Sequence, residues 1–412
     1  MFGFLLFISI YLPFQLALSP SQGIDLASGR ILILVLFFIW LAESFKNKKL
    51  LIQPTFTNGL FVSFLFLTTF SLIVSQNLEW SGRKLLFLFS LAPLYFIAQN
   101  LLNSEEKKEK IASFLVWGAS LASLIGIFQF ISQFIFGREK VYQFWADYVV
   151  IPFLGKAFSE AVLLNPSWLV NITGQTYLRA TAFFPDPHML SFFLGLVFPL
   201  ALALVFLKKE NKIWNLANTI IILITDLLTF SRGGYLGLFL GLLFLALVFW
   251  KNFSRRYRWG TIISSVFLVS FVFIPGPIKE RFQSSFDLRE GSNRGRLETW
   301  VEALEVIEKK PLLGTGLGNY PLEIKASADY REPIYAHNTY LDVAAETGIL
   351  NALIWIGFLF FTARGLYKSK NKFLVFASAS IVIFSVHSLV ETGIYSVAVW
   401  PALLIISSLN NE

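Results

Sequence analysis

IWNLANTIIILITDLLTFSRGGYLGLFLGLLFLALVFW, residues 213–250, is apolar almost from end to end. It is too long for one helix across a bilayer, which takes about 20 residues. Ser231-Arg232-Gly233-Gly234 divides it, because an arginine is costly inside lipid and adjacent glycines favour a tight turn. The stretch reads as two spans, 213–230 and 233–250, joined at SRGG. Working outward, the same criterion places further spans near 2–18, 30–45, 56–75, 83–99, 111–136, 188–207, 259–275, 347–363, 373–388 and 392–409. The expected fold is an all-α polytopic membrane protein with about twelve transmembrane helices.

Composition agrees with that reading. Hydrophobic residues make up 55% of the chain and charged residues 15%, against about 25% charged in soluble domains. Forty-five Phe and 11 Trp suit lipid-facing helices and interfacial belts. The net charge of +8 does not point to nucleic acid, because the basic residues cluster in short loops between apolar runs. Cysteine is absent, which excludes disulfides, thiol nucleophiles and Cys-based metal sites. The amino terminus lacks a basic leader and is read as a first span rather than a cleaved signal.

Sidedness follows from Lys and Arg. Alternate short loops at 46–49, 107–110, 208–212, 251–258 and 364–372 hold seventeen of them. The other short loops hold only Arg30, Arg83, Lys84 and Arg232. Basic short loops stay in the cytoplasm, so both termini are expected there. The organisation is then 1–136 amino-terminal spans, 137–187 an extracytoplasmic loop, and 188–275 spans with the SRGG turn outside. Residues 276–346 form a long outer loop, and 347–412 the last spans. Within the long loop, Leu297, Val301, Leu304 and Ile307 (or Val306) recur at helical spacing, and Pro311 stops the run. An amphipathic helix, on the outer surface or packed over the bundle, is expected there.

On this topology Arg179, His188, Arg232, Arg294, Arg296 and His337 gather at the outer face from three separate segments. Converging cations need an anionic partner, and a guanidinium offers a planar fork of donors to phosphate oxygens. Pairing with nearby acids is the plainer explanation for any one of them. Arg232 can pair with Asp226 or snorkel, Arg296 and Arg294 can be exposed charges on the amphipathic helix, and Arg179 is ambiguous. Gly233 and Gly234 would let backbone or ligand approach closely. His337, one of three histidines, titrates near neutrality and is the natural general base of the set. His188 and Asp186 in PDPHM form a weak D-x-H metal pattern, His387 and Glu391 a structural pair across one helix turn. Neither a phosphate-cradling G-x-x-x-x-G-K-[ST] nor a G-x-S-x-G occurs. G-x-x-x-G at 233–237 and 237–241 suggests a close helix contact.

Four stretches in order resemble the O-antigen ligase and polymerase family of bacterial membrane glycosyltransferases. They are RATAFFPDPHMLSFFLG at 179–195, TFSRGGYLG at 229–237, GRLETWVEALEVIEKKPLLGTGLGNY at 295–320 and AHNTYLDVAAETGIL at 336–350. The resemblance covers roughly residues 170–400. It implies a GT-C-like membrane fold with a long helical extracytoplasmic loop. It also implies an inverting, metal-independent transfer with no cofactor. A glycan on polyprenyl (undecaprenyl) diphosphate would pass to an acceptor hydroxyl of a lipid, glycan or protein, at the outer face of the cytoplasmic membrane. By that likeness Arg232 and Arg296 bind the diphosphate and His337 is the base, with Arg179, Arg294, Asp226 and His188 as possible further members. O-antigen ligation is the first expectation, and polymerisation of repeat units with the same donor chemistry the alternative. A transporter of a small anion or lipid-linked sugar is the alternative from another class. It is disfavoured by the lack of an internal repeat and by charges at the outer end rather than the midplane.

Overall fold

A computed structural model describes residues 1–252 and 291–410, apart from 22, 49–51, 165, 173 and 209, with isolated residues between 255 and 281. A chain crossing lipid must satisfy its backbone polar groups internally, and helices do so. Seven described helices are long and apolar enough to cross: 28–46, 56–74, 78–101, 105–136, 187–207, 232–250 and 349–368. Two shorter apolar helices, Phe2–Phe14 and Lys372–His387, accompany them. The chain is a mostly helical, multi-pass membrane protein.

Helix Pro187–Leu207 is enclosed on nearly every side, packed by Glu105–Phe136, Lys212–Leu228 and Lys372–His387. Its start is set locally. Asp186 Oδ1 accepts from Met189 N at 2.9 Å, and Pro187 occupies the first turn, where no amide hydrogen is needed. Helix Arg232–Asn252 lies along Lys372–His387 through a glycine face, as the G-x-x-x-G spacing suggests. A Cβ on Gly237 would sit 3.0 Å from Ile383 O, and one on Gly241 2.3 Å from Ile383 Cγ1.

Several expected spans are redrawn. The span expected at 83–99 is present at Leu78–Leu101 but broken at Pro93 into helices Leu78–Leu91 and Pro93–Leu101. The one expected at 2–18 is helix Phe2–Tyr11 and a short 3-10 turn to Phe14, and the one at 213–230 is Lys212–Leu228. At 392–409 only Val399–Ser407 is helical. That helix is apolar because it is buried in protein, with Trp400 and the run from Ala402 to Ile406 all 0% exposed. Hydropathy cannot separate lipid from protein core over so few residues. The span expected at 259–275 lies largely outside the described residues. Against an all-α expectation there are two antiparallel hairpins, Ala17–Ser21 with Ile24–Ala27 and Leu169–Ile172 with Gln175–Leu178.

The two long segments expected at the outer face are folded. Residues 137–187 hold short helices and the second hairpin, and residues 291–346 hold helix Gly291–Lys309, called the outer helix below after its expected side. Asp25, in the first hairpin, staples that hairpin to both segments, accepting from Ser19 Oγ (2.9 Å), Phe158 N (2.7 Å) and an Arg331 guanidinium nitrogen (3.1 Å). The segment after the outer helix is pinned at Gly348, which has φ +90°. A Cβ there would lie 2.0 Å from Leu312 O. Gly348→Ala is therefore expected to destabilise the protein by about 1–3 kcal/mol, read as a lower thermal midpoint in detergent.

Candidate active site

The site forms where three segments outside the spans meet the ends of the spans. Arg179 follows the second hairpin and is 3% exposed. Its Nε donates to Thr229 O at 2.7 Å and its NH1 to Ser167 O at 3.0 Å, which fixes the guanidinium between hairpin and turn. The break between the two spans is 229–231, not SRGG as a whole: helix Lys212–Leu228 ends and the next helix begins at Arg232. Gly233 and Gly234 are therefore helical. A Cβ on Gly233 would meet His387 at 2.5 Å, and one on Gly234 would meet Ser191 Oγ at 1.9 Å. These glycines admit neighbouring helices rather than a ligand. Thr229 Oγ1 closes the turn by donating to Asp226 O at 2.6 Å. Ser231 Oγ lies 3.0 Å from His188 Nδ1 and 3.2 Å from His387 Nε2, which ties the turn to two helices. Arg232 then reaches across to the outer helix, where its NH1 donates to Asn293 Oδ1 at 2.5 Å.

The outer helix brings Arg296 inward, with NH2 3.7 Å from Glu391 Oε2. Arg294, two residues earlier, points away and pairs with Glu298 at 2.9 Å on an exposed face. Helical spacing separates the two, since side chains two apart do not share a face. Glu391 also holds His337, with Nδ1 2.8 Å from its Oε1. The ring is half-buried. Asp342, 1% exposed, clamps both partners from behind: it accepts from Ala336 N at 2.8 Å and from the Thr392 hydroxyl. One carboxylate thus spans the residue before His337 and the residue after Glu391.

Backbone strain marks the same place. Five described non-glycine residues have positive φ, and three of them are Ala182, Phe230 and His337, each at 50°. Each conformation costs on the order of 1 kcal/mol for an L-residue, and such strain gathers where side chains must be aimed.

Charge is divided across the site. The negative charge of Glu391 and its hydrogen bond raise the His337 pKa above the ordinary histidine value, against burial and Arg296. Burial would raise the Glu391 carboxyl, but His337, His188 and Arg296 together hold it below the usual range. Burial, then the nearby Arg281, pulls Arg179 down to about 9, so it stays charged at neutral pH. Burial and the charge of Glu391 push Asp186 up to about 6. Arg281 Nε also lies 3.4 Å from Phe230 O, which adds a fourth guanidinium to Arg179, Arg232 and Arg296.

Of the residues singled out in the sequence, Arg179, His188, Arg232, Arg296 and His337 are placed around the turn and Glu391. Arg294 is not. Asp226 is buried in a span, 1% exposed, behind the turn. The D-x-H pattern does not form a metal pair. Asp186 caps a helix, His188 contacts Ser231 and the Arg179 guanidinium, and no group of three potential ligands occurs among the described residues. Sequence reasoning missed Arg281, Asn293 and Asp342, and gave Glu391 only a structural role. Its pairing of His387 with Glu391 across one helix turn gives way to another arrangement. The helix ends at His387, which turns to Ser231, and Glu391 turns to His337. A carboxylate at the end of an apolar run was the available signal.

A model of the O-antigen ligase family matches residues 217–356, a segment that includes Arg232, Arg296 and His337. The ComP-specific O-oligosaccharyltransferase of Acinetobacter baylyi is 27% identical over 379 residues, covering 88% of this chain. The chain spans 62% of that relative's length. With its membrane helices and these two likenesses, the chain is a multi-pass membrane protein that is similar to the O-antigen ligase family over residues 217–356.

Proposed function

We propose that the protein transfers a glycan from a polyprenyl diphosphate to an acceptor hydroxyl at the outer face of the cytoplasmic membrane, with both termini inside. The observation that carries this reading is the meeting of Arg232, Arg296 and the His337–Glu391 pair, drawn from segments far apart in the chain. The acceptor oxygen bonds to the anomeric carbon as His337 Nε2 takes its proton. The bond from that carbon to the diphosphate oxygen breaks, and the lipid diphosphate leaves with the electron pair, inverting the centre. Charge builds on the leaving group in the transition state, where preorganised guanidinium groups in a partly dry site act most strongly. Glu391 fixes the ring through Nδ1 and stabilises the imidazolium that forms. No step is routed through a metal. The family match and the printed name of the relative, an O-oligosaccharyltransferase, support the reaction class.

The test is purified protein in liposomes with a polyprenyl-diphosphate oligosaccharide, a membrane extract as acceptor source and a chelator. Release of lipid diphosphate with one enlarged product supports ligation. A ladder of products indicates polymerisation by the same chemistry. Donor left intact while labelled sugar crosses the bilayer would replace the proposal with transport.

The pH dependence has a definite sign. His337 must be neutral to accept a proton, so kcat/KM rises with pH through its pKa, which Glu391 raises. Glu391→Gln keeps the shape and removes the charge. The acid limb is expected to move to lower pH, with the plateau reduced about tenfold or more. A profile with an unmoved acid limb would separate Glu391 from His337.

A further inference from the structure

The outer helix has three faces rather than two. One packs on the protein, burying Ala303, Val306 and Ile307. A second is exposed and charged, with Glu298, Glu302 and Glu305. The third is exposed and apolar: Leu297, Val301 and Leu304 are 43%, 57% and 54% accessible. The recurring apolar residues that suggested a helix on the surface or packed over the bundle therefore include an edge facing out of the molecule.

The level of this edge is set at both ends. Near its start, Arg296 lies beside Glu391, four residues past the end of helix Lys372–His387, and Thr299 Oγ1 donates to Ala336 O at 3.3 Å. Past its carboxy end, Pro311 O accepts from Ile349 N at 2.9 Å, and Ile349 is the first residue of the span Ile349–Lys368. A helix tied at each end to the ends of spans on the same side runs along the membrane boundary. The chain beyond this edge leads to a second exposed apolar surface. Leu312, 82% exposed, lies against Gly348, and the adjoining span exposes Leu350, Leu353, Ile356 and Phe360 at helical spacing.

We infer that Leu297, Val301 and Leu304 form a lipid-contact edge that rests in the outer leaflet, at the boundary between headgroups and acyl chains. The charged face then meets water, as on helices that lie in the interface. Arg296 precedes Leu297 directly, so this contact holds a site arginine at headgroup level. This inference depends on the membrane fold and not on the reaction proposed above.

The chain has no cysteine, so single labels are unambiguous. Val301→Cys, Leu304→Cys and Glu305→Cys would each carry an environment-sensitive fluorophore, with the purified protein alone in liposomes. Lipids bearing a nitroxide just below the headgroup are expected to quench the labels at 301 and 304 about twofold or more, with little effect at 305. A nitroxide at the chain terminus should quench them less. Quenching of 301 and 304 by aqueous iodide instead would overturn the inference by placing the edge in water. Protection from both quenchers would overturn it as well, by showing that protein covers the edge.

Discussion

His337→Ala is expected to lower kcat by about 10²- to 10⁴-fold, the range general-base catalysis supplies, while donor binding stays near the wild-type level. The acceptor hydroxyl is a poor nucleophile until its proton leaves, and His337 is the titratable group aimed by Glu391 and by its own left-handed backbone. Alanine disfavours positive φ, so His337→Asn should be made beside it, since asparagine tolerates that conformation. Both variants should insert and purify as the wild type does. Loss of activity in the alanine variant with wild-type rates in the asparagine variant would reduce His337 to a backbone role.

The second large effect is expected at the arginines. Arg232→Ala and Arg296→Ala should each lower donor kcat/KM by about 10²- to 10³-fold, as when one preorganised charge-stabilising group is removed. Lysine at either position should restore only part, because the bidentate fork is lost. Arg294→Ala is the control. It sits on the exposed face with Glu298 and should change kcat/KM less than about twofold, as surface ion pairs contribute little. Steady-state kinetics with the lipid donor varied reads all three. A loss at Arg294 equal to that at Arg296 would break the assignment.

Much of this arrangement is legible from residues, and the exceptions have physical reasons. The divided run at 213–250 shows a polytopic chain, since no single helix can hold it. Arg232, Arg296 and His337 stand in ordered stretches that resemble a family, though their partners are not readable locally. Glu391 meets His337 across 54 positions, and Asn293 meets Arg232 across 61, so no spacing rule links either pair. Hydropathy placed a span at 392–409 because Trp400 and its neighbours are as apolar in a protein core as in lipid. Periodicity found the stripe at Leu297, Val301 and Leu304 but could not tell what it faces, since helical spacing reports a shared side and not its surroundings. Gly233 and Gly234 suggested a close approach by backbone or ligand, and it is the His387 and Ser191 side chains of neighbouring helices that occupy that room.

The central claim is a division of labour: guanidinium groups hold the diphosphate and His337 activates the acceptor. The most direct test measures donor binding and single-turnover release of lipid diphosphate on the same liposome preparations of wild type, His337→Ala and Arg296→Ala. The account predicts that His337→Ala binds donor as the wild type does and releases almost none, while Arg296→Ala loses binding. Release at the wild-type rate by His337→Ala, or equal loss of binding in both variants, would contradict it.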